Sequence, residues 1–120
     1  ALSAELQRRG VEFRRIHINI AAHSALVDGV LPEFTAYLRR IQLSPPKIPI
    51  VSNLTGDWLS DEQATSPEYW ARHLRGTVQF AKGVATVLAG GERLLLEVGP
   101  GNTLSSLARM QCTPAAAKNV

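Results

Sequence analysis

Two short runs, Ile48-Pro49-Ile50-Val51-Ser52 and Arg93-Leu94-Leu95-Leu96-Glu97-Val98, constrain the fold most, because both are apolar at nearly every position rather than at alternate ones. A strand of this kind has no face to give to water, and it fits the interior of a parallel sheet covered on both sides. A turn follows each run, Asn53 to Asp57 built around Gly56 and Gly99-Pro100-Gly101, and helical patterns come next. Helix and strand alternate through the second half of the chain, so the expected architecture is an α/β layer with parallel strands.

The helical patterns carry their own start and stop signals. Leu2 to Arg9 reads as a helix closed by Gly10, and Val11 to Ile20 alternates like a strand with a slip near Arg14-Arg15. Leu26, Val27, Val30, Leu31, Phe34, Leu38 and Ile41 recur at spacings of three and four, the period of a helix with one buried face. Pro32 is tolerable only in a first turn, which starts the regular helix near Leu31, and Ser44-Pro45-Pro46 ends the segment. Ser66-Pro67-Glu68 reads as an N-cap with proline at the first helical position, leading into Tyr69 to Leu74. A further helix is expected from Gln79 to Leu88, closed by Gly90-Gly91, and another from an Asn102 or Thr103 cap through Met110. Trp58, Trp70 and Phe80 are expected to pack in the core or between subdomains, and residues 113–120 to form a frayed tail.

At 120 residues, 45% of them apolar, the chain can bury one modest core. It enters at Ala1 in what reads as the middle of a helix, so an upstream portion is expected. Thirteen basic against ten acidic side chains leave a net charge of +3, dispersed in pairs such as Arg8-Arg9 and Arg39-Arg40 without interleaved aromatics. That pattern suits solvated element ends rather than a nucleic-acid interface. The single Cys112 excludes an internal disulfide and points to a reducing, cytoplasmic setting. No apolar run approaches the span of a bilayer, so no membrane partner is expected.

The chemistry concentrates at one junction. Ile18-Asn19-Ile20-Ala21-Ala22-His23-Ser24-Ala25-Leu26-Val27 delivers a histidine from a strand-like run just ahead of an amphipathic segment. A histidine held there can act as a general base, because neutral imidazole accepts a proton near pH 7 and the flanking elements fix its aim. It needs a nucleophile, and no Gly-x-Ser-x-Gly elbow occurs in the sequence. Ser24 is its neighbour, but adjacent side chains rarely face each other, and capping suits it better. His17, His23 and His73 lack the close helical spacing of a zinc motif, so no metal is expected. Gly99-Pro100-Gly101 either cradles an anion on backbone N–H groups or simply makes a tight turn, the second being favoured.

Four blocks together carry a resemblance. Ile20 to Asp28, Ile50 to Gly56, Tyr69 to Arg75 with Val78-Gln79-Phe80, and Leu96 to Gly101 resemble, in order and spacing, the C-terminal part of a malonyl-CoA:acyl-carrier-protein transacylase, closest in flavour to a polyketide-synthase acyltransferase domain. The resemblance implies a large α/β-hydrolase-like subdomain with a ferredoxin-like small subdomain inserted. Residues 1–19 would end the small subdomain, and residues 20–112 would be the C-terminal part of the large one.

It also implies a reaction, in which a serine takes a malonyl-type acyl group from coenzyme A and passes it to the phosphopantetheine thiol of an acyl carrier protein. The serine elbow, the arginine for the extender's free carboxylate and the oxyanion-hole glutamine are not in this sequence, so the chain is expected to be inactive alone. His23 matches the catalytic histidine, and the resemblance places the acceptor that orients its ring at the backbone carbonyl of His73. Ile20, Ala21 and Ala22, the residues before His23, occupy positions associated with extender choice. They match neither the aromatic pattern of malonyl nor the serine pattern of methylmalonyl selection, and malonyl-CoA is favoured only as the commoner extender over methylmalonyl-CoA. The expected partners are the carrier protein and the rest of the synthase chain, with no bound cofactor. The alternative is a non-catalytic packing or carrier-docking module. In either case, parallel strands without neighbours leave exposed apolar edges.

Overall fold

The computed structural model describes residues 2–13, 21–112, 117 and 120, and among them the regular elements are helices. The first, α1 (Leu2–Arg8), carries Glu5 paired with Arg8 and Arg9 at 2.6 Å each, the spacing at which helix neighbours support one another by a few tenths of a kcal/mol. It stops where Gly10 takes φ 65°, the left-handed conformation expected of a glycine there.

The apolar pattern that begins at Leu26 divides in two. Ala25–Val30 forms a 3-10 turn, and α2 (Leu31–Leu38) follows with Pro32 in its first turn, as the missing proline N–H requires. Two short helices then sit end to end. In α3 (Asp61–Ala64), Ser60 and Gln63 form a reciprocal capping box. In α4 (Pro67–Arg75), the Ser66 hydroxyl accepts the Tyr69 N–H at 3.2 Å. The series ends with α5 (Phe80–Ala89) and α6 (Thr103–Arg109).

Helix α4 is the hub. The 3-10 turn and α2 pack on it, and Arg39 beyond α2 reaches Glu68 at 2.7 Å, holding that carboxyl below its ordinary range. Tyr69 is fully buried beneath it, and its hydroxyl hydrogen-bonds the buried Ser52 hydroxyl. Ser52 belongs to a tight hairpin in which Val51 bridges Trp58, with Ser52 N–H donating to the Asp57 carbonyl at 2.8 Å and Leu59 N–H to the Ile50 carbonyl at 2.8 Å. Helix α5 closes on this hairpin through Lys82, which donates to the Thr55 carbonyl at 2.7 Å, and Thr86, which donates to the Gly56 carbonyl at 2.6 Å.

The parallel sheet expected from the two apolar runs is not formed among the described residues. A ladder needs a neighbouring strand about 4.8 Å away. The first run instead folds back at Gly56 into its own antiparallel bridge, and the second has no strand beside it. Leu94, Leu96 and Val98 are consequently 81%, 81% and 89% exposed. Trp58, expected to pack in the core or between subdomains, is exposed among the described residues, while Trp70 is half-buried and donates its indole N–H to the Ala64 carbonyl at 2.9 Å. The radius of gyration of 17.0 Å exceeds the roughly 13.6 Å of a compact chain this long. Among the described residues the fold is thus open, its helices packed about α4 and the run from Leu94 to Val98 bare. The expected strand Val11 to Ile20 and the tail lie largely outside the described residues.

Gly56 sits at φ 69°, and a Cβ there would stand 2.6 Å from Lys82 Cβ, close to the α5 backbone. Gly56→Ala therefore combines left-handed strain with a clash and should cost about 2 kcal/mol or more, read as a lowered thermal unfolding midpoint.

Candidate active site

The end of α4 meets the start of the 3-10 turn at His23. Gly76 follows the helix with φ −75° and ψ 153°, which swings its carbonyl off the helix axis. That carbonyl lies 2.8 Å from His23 Nδ1. Two residues back, the Leu74 carbonyl accepts the His23 backbone N–H at 3.0 Å. Both are among the carbonyls that a helix C-terminus leaves without internal partners. His23 satisfies them with its ring and its backbone at once.

The tautomer follows from donor and acceptor chemistry. A carbonyl oxygen only accepts, so a bond at 2.8 Å requires the proton on Nδ1. In the neutral ring Nε2 is then left with its lone pair, the arrangement a general base needs. His23 holds this position with φ 61°, the only positive value at a non-glycine among the described residues. Such a conformation costs of order 1–3 kcal/mol and persists where its surroundings over-determine it.

The expected acceptor was the carbonyl of His73, and the structure places it instead at Gly76. His73 lies inside α4, three residues earlier, whereas Gly76 is the first residue past the helix, and its extended backbone turns its carbonyl toward the His23 ring. The His73 side chain does reach the site. Its ring lies edge-on to His23 with centroids 6.1 Å apart and against Trp70 at 5.6 Å. Burial, and secondarily the nearby His23, hold its pKa below the ordinary histidine value, so it is neutral at pH 7.

Ser24 is a cap, as its position suggests. Its hydroxyl donates to the Ala21 carbonyl at 2.7 Å and accepts the Leu26 N–H at 3.2 Å. Ala21 is exposed and Ala22 half-buried, while Ile20 lies outside the described residues. Neither Ala21 nor Ala22 lines the open apolar cavity of about 540 Å³ formed by Pro49, Ile50, Trp58, Leu59, Val87 and Arg93. Just past the turn Gly99 to Gly101, a carboxylate of this chain occupies the first turn of α6. The Glu97 carboxylate already accepts the Leu104 N–H at 3.1 Å and the Ser105 N–H at 2.9 Å, and these bonds, the Ser105 amide first, keep its pKa low. Among the described residues no group of three or more His, Cys, Asp and Glu side chains is placed to hold a metal, and no helix is long and apolar enough to cross a membrane.

What the sequence alone missed here is Gly76 and the ion pair between Arg75 and Asp28. The glycine after the basic last turn of α4 is a signal for a helix end, though not for where its carbonyl aims.

Residues 1–116 match the acyl transferase domain family. Among curated relatives, a phenolphthiocerol/phthiocerol polyketide synthase of Mycobacterium tuberculosis is 41% identical over 108 residues, which is 90% of this chain and 7% of that protein. The spectinabilin polyketide synthase system protein NorB of Streptomyces orinoci is 42% identical over 103 residues, covering 86% of this chain and 5% of that protein. Among solved structures, the acyl transferase domain of SpnD, in complex with 2-(pent-4-yn-1-yl)malonyl, superposes with a TM-score of 0.85 at 48% identity, covering 92% of this chain and 27% of that one. The chain thus spans a small fraction of the synthases it matches and about a quarter of the solved domain.

His73 gives the site a pH signature. Because its folded pKa lies below its unfolded value near 6.5, the unfolded state takes up the proton first as pH falls. Stability is therefore fully present above about pH 6.5 and lost as pH drops toward the lowered native value. Replacing His73 with Asn should flatten that acid limb in urea unfolding measured between pH 5 and 8.

Proposed function

The chain belongs to the acyl transferase domain family, and on that premise we propose that it supplies the general base of a serine-dependent transacylase. In this reading the nucleophilic serine, the carboxylate-binding arginine and the oxyanion-hole donors come from sequence outside these residues. The observation that carries it is the fixing of His23 by the Gly76 carbonyl, which leaves Nε2 as the proton acceptor.

The reaction divides into two matched halves. His23 Nε2 takes the serine hydroxyl proton as the oxygen attacks the thioester carbonyl of an acyl-coenzyme A, and the tetrahedral adduct collapses to expel the thiolate. The same Nε2–H then protonates the departing coenzyme A. In the second half Nε2 takes the proton of the carrier protein's phosphopantetheine thiol, whose sulfur attacks the acyl-serine ester and releases the serine, reprotonated by the imidazolium. The Gly76 carbonyl holds the ring orientation throughout, the role a carboxylate plays in other triads.

The acyl group is read as malonyl-type. Ala21 and Ala22 are small, and the related SpnD domain is solved with a substituted malonyl group. Small side chains before the base accommodate a substituent at the malonyl C2 but discriminate against its absence by only ~1–3 kcal/mol per methylene-sized group. On the same reading α1 ends a small subdomain, and the bare edges at Leu94, Leu96 and Val98 are covered by the rest of the acyltransferase, in a synthase that also carries the carrier protein.

His23→Ala in the complete acyltransferase should lower the rate of acyl transfer about 10²–10⁴-fold with the unfolding midpoint little changed. The measurement is single-turnover loading from radiolabelled malonyl-CoA, and a variant that loads at the parent rate would remove His23 from the mechanism. Run with malonyl-CoA against methylmalonyl-CoA on the parent enzyme, the same assay should show a preference of less than about 200-fold.

A further inference from the structure

Three consecutive residues close α4, and each grips the segment that carries His23. The Leu74 carbonyl holds the His23 backbone, the Gly76 carbonyl holds its ring, and the Arg75 side chain between them pairs with Asp28 of the 3-10 turn. We infer that the Asp28–Arg75 pair is a positioning pair that sets the aim of the His23 ring, an inference resting on the reading of His23 as the base.

The geometry of the segment explains the need. A 3-10 turn has poorer hydrogen bonds than an α-helix and is easily displaced. The Ser24 cap secures it only to its own segment, through Ala21 and Leu26. Beside the packing of the turn on α4, the two hydrogen bonds from α4 carbonyls both fall on His23 and so hold it at a single pivot. Asp28 lies five residues further on, and its tie to Arg75 adds the second point that stops rotation about that pivot. The left-handed backbone at His23 would otherwise have reason to relax.

Arg75 and Asp28 are 41% and 56% exposed, so the pair contributes little to global stability. Its effect is expected in catalysis, where a displacement near 1 Å costs as much as about 100-fold. The Arg39–Glu68 pair serves as a built-in control. It is also exposed and also ties a neighbouring segment to α4, but it does not touch the segment from His23 to Asp28.

The test is steady-state acyl transfer by the complete acyltransferase carrying Arg75→Ala, Asp28→Asn, the double variant, the swap Arg75→Asp with Asp28→Arg, Arg75→Lys, and Arg39→Ala. Each single variant should lower kcat about five- to thirty-fold with KM within about twofold, and the double variant should be no worse than either single. Arg75→Lys and the swap should regain part of the loss, and Arg39→Ala should stay within about twofold of the parent. Parent-like kcat in Arg75→Ala and Asp28→Asn, losses that multiply in the double variant, or losses confined to KM would overturn the inference. His23→Ala is run beside them. A fully active His23→Ala would sink the base reading and this inference with it, whereas an inactive one beside active Arg75 and Asp28 variants would sink the pair alone.

Discussion

The C-terminus of α4 is the constraint on which the rest of the site depends. A helix must leave its last carbonyls without internal partners, and here two of them, at Leu74 and Gly76, are satisfied by one histidine. An end effect of the helix thereby becomes a device for orienting a ring. The cost is a left-handed backbone at His23, offset by those bonds and by the ion pair that anchors the following turn. Because α4 is itself fixed from below by Tyr69 on Ser52, the aim of His23 is referred to the best-buried part of the described fold.

The same packing explains why so little of the chain is closed. Among the described residues the buried apolar side chains are Ala64, Tyr69, Ala71, Val84 and Ala108, all on helices, while the run from Leu94 to Val98 shows Leu94, Leu96 and Val98 to solvent. A helix can satisfy its backbone alone, and a strand cannot. The helices of this segment therefore form where the sequence directs them, whereas the strand-like runs depend on neighbours that the described residues do not provide.

This asymmetry also accounts for what could be read from the residues. Local signals are decisive for helices. Ser66-Pro67 starts α4 where expected, Pro32 places the start of α2 at Leu31, and Gly10 and Gly90 close α1 and α5. Helix α3 is absent from the sequence reading although Ser60 and Gln63 spell a capping box. The parallel sheet is not legible as a finished object, because apolarity on both faces says that a run needs cover and not what supplies it. At the site, the junction marks His23 as able to act as a base and the four-block resemblance gives it a catalytic role, while Ser24 is the cap that its position suggests. The orienting carbonyl lies three residues beyond the expected one, since the turn of one peptide at Gly76 depends on how α4 ends and not on residue type alone. Arg75 and Asp28, separated by 47 positions, give no local signal of their pairing.

The most direct measurement of the central claim is the tautomer of His23, read from ¹⁵N–¹H correlations of the ring in the complete acyltransferase near neutral pH. A neutral ring protonated at Nδ1, with Nε2 bare, is the predicted state, since the Gly76 carbonyl can only accept a hydrogen bond. A neutral ring protonated at Nε2 would contradict it, because that nitrogen could not take the proton of a nucleophile and the clamp at the end of α4 would be aiming nothing.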